Sequence, residues 1–278
     1  MGVLRYRARY KIFTGFRAGL AGLFLSLFGI RWVYDLVECK WKLCSDNWEG
    51  LKRILVPLIH AMEVLMIKRA GSVLAAIPSA YKYAKNIRED RIYFAPNGRD
   101  ELLFDPSRYN RTSLRRRYGV SFPLAIYVGK LTPMYAKFLG PAIDAMSIVN
   151  KEIPDAELWI YGDGPSKGEL ERSAKERGGN VRFKGYIDHN RVPEVVAIAD
   201  VGVHAYDGES LKMVEWLSMG LPTIVPSSLR FDGTIPCRWD AEHIAKRFIE
   251  FLRRPERKVC EMPSWKETTM VITKVLKY

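Results

Sequence analysis

Lysines and glycines follow a short apolar segment at residues 124–128 in a pattern suited to anion binding. Gly129 and Lys130 come directly after the segment, and Lys137 lies seven positions beyond Lys130. A glycine lets the backbone approach a ligand closely, and the free N–H groups at a helix start attract anions. Two lysines beside such a start suit a diphosphate, although two solvated surface lysines would look the same in the sequence.

Polar residues also follow the apolar segment 200–204. The candidate residues in this stretch are Asp207, Gly208, Glu209, Ser210, Leu211, Lys212 and Glu215. Glu215 falls on the same helical face as Leu211 and Met219, where a carboxylate needs a polar partner. A pair of sugar hydroxyls, such as a ribose diol, would suit this carboxylate, and an ion pair with a nearby lysine is the alternative.

Two further turns contain glycine. Gly162 and Gly164 form a tight turn after residues 157–161. Because this turn lacks a third glycine and a lysine–serine pair, it is neither a dinucleotide fingerprint nor a Walker loop. Tyr186 and Ile187 follow the next apolar segment, where a nucleotide base could lie against the strand edge. A tyrosine buried in the core is an equal alternative.

Short apolar strands alternate with helices over this half of the chain. The predicted strands are 124–128, 157–161, 181–183, 200–204 and 222–225, and the predicted helices are 137–150, 166–177, 191–198 and 210–219. This alternation indicates an α/β fold with a parallel sheet covered on both faces. Ligands of such sheets lie at the carboxyl ends of the strands, where the residues above are found.

The upstream half is less regular. Strands are predicted at 30–37 and 72–77, helices at 48–69 and 79–88, and a further strand ends in a turn at Asn97 and Gly98. The polar, basic stretch 105–120 indicates a domain boundary.

Composition limits the classes of binding partner that we expect for this chain. The chain has 278 residues and a net charge of +13, which predicts an anionic partner. It contains no RNP-type aromatic motif, zinc-finger spacing or basic heptad helix, so we do not expect nucleic acid. The four cysteines form no C-x-x-C pair and the four histidines have no metal-ligand spacing, so reduced cysteines and no bound metal are expected.

An apolar run at 18–30 follows a basic start containing Arg5, Arg7, Arg9, Lys11 and Arg17. Its 13 residues are fewer than the roughly 20 that a membrane span needs. The run therefore indicates either a buried helix or a basic amphipathic helix lying in a membrane surface. We expect a cytoplasmic protein, and the basic residues of its amino end either attach it to an anionic membrane or coat its surface as solvated side chains.

The order of these loops resembles retaining glycosyltransferases of the GT-B fold, family 4. The similar stretches are YVGKLTPMYAKFLGPAIDAM, AELWIYGDGPSKGEL, VRFKGYIDHNRVPEVVAIADVGV, DGESLKMVEWLSMGLPTIV and, upstream, IYFAPNGRDELLFDP. The resemblance implies two Rossmann-like domains with parallel sheets and a nucleotide-diphosphate sugar as donor substrate.

The resemblance also implies roles for individual residues. Lys130 and Lys137 match the basic pair that holds the donor diphosphate, and Glu215 matches the acid that binds the donor ribose. Asp207 stands where the family has a glutamate near the transferred sugar, which is a departure by one methylene. Lys212 matches a subgroup variant, S-x-K-x-x-E, in which it supplements the phosphate contacts. The remaining donor-binding positions are Gly129, Gly162, Gly164, Tyr186, Ile187, Gly208, Glu209, Ser210, Leu211 and, beside the cleft, Asn97.

The amino end departs from the family pattern. The first strand–helix repeats and their glycine-rich acceptor loop are missing before the strand that ends near Asp35, so we expect an incomplete N-terminal domain. The expected domains are 1–112 on the acceptor side and 113–258 for the nucleotide sugar. A C-terminal helix within 259–278 is expected to pack back on the first domain.

Three functions follow as hypotheses. The first is transfer of a sugar with retention of configuration, without metal or cofactor, to an acceptor such as a lipid phosphate at an anionic membrane. The second is a donor-binding subunit whose acceptor side is completed by a partner protein or a membrane. The third is a degenerate fold with a structural role, which would bind no nucleotide.

Overall fold

The computed structural model describes residues 11–48 and 50–277, so the predicted basic residues Arg5, Arg7 and Arg9 lie outside it. The chain forms two compact units. One comprises the chain up to Gly98 together with the stretch from Pro263 onward, and the other comprises Arg99–Met262.

The first unit contains a parallel sheet of four strands in the order β1-β2-β3-β4. These strands are β1 Ile12–Thr14, β2 Val33–Leu36, β3 Ser72–Ala75 and β4 Ile92–Phe94. Successive side chains point to opposite faces of the sheet, so Val73 and Ala75 join one apolar cluster and Leu74 joins another.

Four helices connect and follow these strands. They are α1 Gly15–Ser26, α2 Lys40–Asn47, α3 Val56–Arg69 and α4 Pro78–Ile87. The predicted helix 48–69 is divided, because a 3₁₀ turn at Gly50–Leu55 precedes α3. Pro57 lies in the first turn of α3, where a residue without an N–H is tolerated.

The strand β1 and helix α1 form a repeat that the sequence analysis did not predict. β1 pairs with β2 in parallel, and α1 packs closely on the sheet through Gly19 and Gly22. A Cβ atom at Gly22 would overlap the ring of Trp32. No helix among residues 11–48 and 50–277 is long and apolar enough to cross a membrane.

The second unit contains a parallel sheet of six strands in the order β10-β9-β8-β5-β6-β7. The strands are β5 Leu124–Val128, β6 Glu157–Tyr161, β7 Val181–Gly185, β8 Val201–Val203, β9 Thr223–Pro226 and β10 Ile235–Cys237. Apolar clusters cover both faces, with Ala125 and Tyr127 on one and Leu124 and Ile126 on the other. The predicted α/β class with two parallel sheets is confirmed, and the N-terminal sheet is the smaller of the two.

The helices of the second unit connect these strands. They are α5 Arg111–Tyr118, α6 Pro133–Glu152, α7 Lys167–Arg177, α8 Val192–Ile198, α9 Leu211–Ser218 and α10 Ala241–Arg253. The basic stretch around α5 is fixed to this unit by Asp200. The Asp200 carboxylate pairs with Arg111 and Arg115 and accepts a hydrogen bond from the N–H of Leu124 at 2.7 Å.

The last helix, α11 (Trp265–Leu276), belongs to the first unit. It begins with a capping box, in which the Ser264 hydroxyl accepts from the N–H of Glu267 and the Glu267 carboxylate accepts from the N–H of Ser264. Val275 of this helix packs with Leu74 and Ala95, so α11 covers the sheet face opposite the cluster containing Val73.

Candidate functional site

The loops at the carboxyl ends of β5, β6 and β7 are joined by backbone hydrogen bonds. The N–H of Gly129 donates to the carbonyl of Tyr161 at 3.0 Å, and the N–H of Gly162 donates to the carbonyl of Gly185 at 2.8 Å. The N–H of Leu131 donates to the carbonyl of Asp163 at 3.0 Å. The residues predicted on three separate loops therefore belong to one connected edge of the sheet.

Gly162 and Gly164 pack this edge together. Their φ angles of 140° and 153° are rarely adopted by residues with a side chain. A Cβ atom on Gly162 would overlap the carbonyl oxygen of Gly129, and one on Gly164 would lie 2.5 Å from the carbonyl oxygen of Leu131. The structure thus gives both glycines a packing role, and their contact with a donor stays a prediction.

Lys212 places its amine at the carboxyl end of β5. Its Nζ donates to the carbonyl of Val128 at 3.2 Å and lies 4.8 Å from the ring centre of Tyr127 and 5.7 Å from that of Tyr135. A Cβ atom on Gly129 would be only 3.1 Å from this amine. Burial lowers the pKa of Lys212 to about 8, and the carboxylate of Glu215 opposes this shift.

Glu215 lies one helical turn beyond Lys212 on α9 and is only 5% exposed. Its Oε1 is 2.8 Å from Nε2 of His189, whose ring packs 5.4 Å from that of the buried Phe104. Burial raises the pKa of Glu215, while the His189 hydrogen bond and the Lys212 charge lower it. The polar partner that the sequence analysis required for this carboxylate is thus a histidine.

His189 is the residue that the sequence analysis missed, since it treated the histidines only as candidate metal ligands. It stands two positions after Ile187, just beyond the end of β7. Its place after a strand end was the available signal. Among the described residues no three His, Cys, Asp or Glu side chains are grouped as metal ligands.

The loop between β8 and α9 is held by His204. The Nε2 of this fully buried histidine is 2.8 Å from the carbonyl oxygen of Gly208, so Nε2 carries the proton. Burial and, to a smaller extent, the charge of Lys212 lower the pKa of His204 to about 3. The imidazole is therefore neutral. At the start of α9, the buried Ser210 hydroxyl has no hydrogen-bond partner among the described residues.

The structure leaves the remaining charged candidates on the surface. Lys130, Lys137 and Asp207 are exposed, and Lys137 is the fifth residue of α6 because that helix begins at Pro133. Near them, the ring of Tyr206, beside Asp207, packs 5.4 Å from that of Tyr135 on α6. Exposure leaves all three charges available to a soluble ligand.

The other predicted positions divide between the two units. Tyr186 is 75% exposed, which excludes the alternative of a core tyrosine, and Ile187 packs against the apolar cluster of Trp159. Leu211 and Glu209 lie at the start of α9 and in the loop before it. Asn97 belongs to the first unit, where its N–H donates to the carbonyl of Ala76 at 3.2 Å.

The second unit matches a known family. Residues 123–252 match the model of the Glycosyl transferases group 1 family. The alpha-D-kanosaminyltransferase of Streptomyces kanamyceticus is 23% identical over 182 residues, which cover 62% of this chain and 47% of the relative. A GDP-mannose-dependent alpha-(1-6)-phosphatidylinositol dimannoside mannosyltransferase of Mycobacterium tuberculosis is 30% identical over 172 residues, which cover 58% of this chain and 44% of the relative. The chain thus spans about half the length of these relatives.

Solved structures resemble nearly the whole chain. Sucrose-phosphate synthase from Thermosynechococcus elongatus superimposes with a TM-score of 0.73 at 17% identity, over 99% of this chain and 74% of that protein. Anabaena Alr3699/HepE in complex with UDP-glucose gives a TM-score of 0.65 at 16% identity, over 96% of this chain and 78% of that protein. Residues 123–252 are thus similar to the Glycosyl transferases group 1 family, and the fold of the chain is of the GT-B type.

Proposed function

We propose that this chain transfers a sugar from a nucleotide-diphosphate donor bound at the carboxyl ends of β5–β8. The observation that carries the proposal is the pair on α9, in which the Lys212 amine lies beside Gly129 and the buried Glu215 carboxylate lies one turn further. Solved structures of the same fold were determined with UDP or UDP-glucose bound. Their donors support the class of ligand proposed for this chain.

Each group has a role in this proposal. Lys130, Lys137 and Lys212 neutralise the charge that grows on the diphosphate as the bond to the sugar breaks. The start of α9 contributes free N–H groups and the Ser210 hydroxyl to the same phosphates. Because three amines supply this charge, the proposed transfer needs no metal or cofactor.

The two acids bind the sugars of the donor. Glu215 accepts hydrogen bonds from the ribose hydroxyls, and Asp207 orients the transferred sugar. We propose retention of configuration, with the acceptor attacking from the face that the diphosphate leaves. This proposal extends the family-4 resemblance to Asp207 despite its shorter side chain.

Calorimetric titration with UDP, GDP, ADP and their sugars tests donor binding. We expect one nucleotide to bind, with Glu215→Gln and Lys137→Ala each weakening it about tenfold or more, because each removes a charged hydrogen-bond partner. Lys137→Ala should also lose most transfer activity. Lys175→Ala, which removes an exposed lysine on α7, is the matched control and should bind as the unmodified protein does.

Near-normal turnover by Lys137→Ala would refute its phosphate role. If no nucleotide binds the unmodified protein, the donor site itself is refuted and the third hypothesis, a structural role, takes its place.

A second candidate function is donor binding without transfer. The observation that favours it is the first sheet, which has four strands against six in the second. In that case a partner protein or a membrane-borne lipid phosphate completes the acceptor side. Hydrolysis or transfer of the sugar by the isolated protein would exclude this candidate.

A further inference from the structure

Helix α3 and the 3₁₀ turn before it present their leucines outward. The exposed side chains are Leu51, Ile54, Leu55, Leu58 and Leu65, which we name the apolar stripe of α3. Leu51 is 84% exposed and Leu58 is 57% exposed. Leu58 and Leu65 are seven positions apart on one side of α3, and Leu51, Ile54 and Leu55 lie in the 3₁₀ turn that leads into it. A surface helix of an isolated domain normally has the opposite arrangement.

The inner side of α3 contains a buried charged residue, the reverse of the usual distribution of polar and apolar side chains on a surface helix. Glu63 is fully buried, and one of its carboxylate oxygens accepts from the N–H of Lys40 at the start of α2, 2.9 Å away. Met66 and Ile67, on the same inner side, join the apolar cluster of the sheet. The outer leucines therefore are not needed to attach α3 to its own domain.

Helix α1 adjoins α3 and has a similar outer side. Its Gly19 packs against the Met66 side chain of α3, and both helices cover the same sheet face. Phe24, Leu27 and Phe28 at the end of α1 are exposed. Two neighbouring helices thus turn large apolar side chains away from the sheet.

The exposed charged side chains within residues 15–31 and 50–69 have one sign. Residues 15–31 contain no acidic residue, and residues 50–69 contain only Glu63, which is buried. The exposed charged residues of both segments are Arg17, Arg31, Lys52, Arg53, Lys68 and Arg69. Exposed leucines and phenylalanines accompanied by exposed arginine and lysine within these two segments match an anionic bilayer surface, in which apolar side chains enter the acyl boundary and basic ones meet the headgroups.

We infer that the outer side of α1 and α3 is a membrane-docking surface that takes an anionic lipid bilayer, with the apolar stripe of α3 inserted. It extends the association predicted from the basic amino end to a second helix more than 20 residues along the chain. The inference depends on the proposed function in one respect: docking would bring a membrane-borne acceptor near the enzyme. The surface itself lies outside the donor site.

Flotation with lipid vesicles, performed without nucleotide, tests this inference on the full chain. The vesicles contain equal parts of phosphatidylglycerol and phosphatidylcholine, or phosphatidylcholine alone. We expect the protein to float with the anionic vesicles. The double variant Leu51→Ser/Leu58→Ser should lower the partition coefficient at least about tenfold, since both leucines lose their burial in lipid.

A charge variant provides the second arm. Lys52→Glu/Arg53→Glu should lower partitioning into anionic vesicles at least about tenfold and change it little on phosphatidylcholine. Leu102→Ser and Lys175→Glu replace an exposed leucine and an exposed lysine of the second unit and should float as the unmodified protein does. All substituted side chains are exposed, so the variants should keep the circular dichroism and melting curve of the unmodified protein.

Three results would overturn the inference. They are an unmodified protein that stays unbound, a leucine variant that floats normally, and a dimer in sedimentation that the leucine variant dissociates without any vesicle binding. The last result would assign the surface to a second copy of the chain. Because no donor is present in the assay, failure of nucleotide binding in calorimetry leaves these outcomes unaffected.

Discussion

The amine of Lys212 shows how one side chain can depend on its surroundings for its charge. Its Nζ lies among the rings of Tyr127, Tyr135 and Trp216 with a single carbonyl partner, and burial holds its pKa at about 8. The amine is therefore charged at neutral pH and loses its proton within the mildly alkaline range. A bound diphosphate would restore the charge, because an anion favours the protonated form.

The pH dependence of donor binding follows from this pKa. As the pH rises above about 8, the ligand-free protein loses the Lys212 proton, so a diphosphate must bind together with a proton. The Kd of the nucleotide should then rise by up to about tenfold per pH unit. Calorimetry between neutral and alkaline pH measures this slope, and Lys212→Met supplies the baseline. An equal slope in both proteins would contradict the assignment.

The sequence predicts the α9 residues better than their partners. Lys212 and Glu215 stand at fixed spacing after a strand, so their place on one helix could be inferred. His189 comes from a loop 26 positions earlier, and the pairing of β8, β5, β6 and β7 in one sheet brings that loop beside α9. Contacts of this kind depend on tertiary structure rather than on local pattern.

At the scale of elements, the sheet of the second unit was predictable because its strands are short, apolar and bounded by turn residues. β5 and β6 begin and end where the sequence analysis placed them. β1 was missed because its three residues follow a basic stretch and carry no apolar alternation. The 3₁₀ turn before α3 was missed because its leucines continue the helical spacing, while Pro57 sets the start of the helix.

The glycine contacts between the strand-end loops predict a large loss of stability for Gly162→Ala. The new Cβ would overlap the Gly129 carbonyl, and the φ of 140° is unfavourable for alanine. We expect the free energy of unfolding to fall by about 3 kcal/mol or more, measured by urea denaturation. Gly168→Ala, where a Cβ meets no atom within 4 Å, is the matched control and should change stability by less than about 1 kcal/mol. Equal stability of the two variants would show that the loops separate easily.

At the scale of the whole molecule, the chain leaves the first unit at Arg99 and returns to it at Pro263. The second unit is thus inserted between two parts of the first. Val275, which is 3% exposed, packs with Leu74 and Ala95 and joins these two parts across the sheet of the first unit. Stability of the first unit therefore depends on a helix that lies far from its strands in sequence.

Val275→Asp should destabilise the first unit by about 3 kcal/mol or more, since it places a charge in an apolar cluster. Hydrogen exchange should increase in β3 and β4, whereas nucleotide affinity in the second unit should stay the same. Met270→Asp on the exposed side of α11 is the matched control and should leave exchange unchanged. Unaltered exchange in β3 after Val275→Asp would contradict a stabilising role for α11.

The return of α11 to the first sheet has a consequence for protein synthesis. The ribosome completes β4 about 180 residues before it completes α11, which corresponds to about 10–35 s of translation. During that interval the residues of the second unit emerge in one continuous run and can finish folding, while Leu74 and Ala95 still lack their cover. The nascent chain thus displays an unfinished apolar sheet face to chaperones until α11 leaves the exit tunnel.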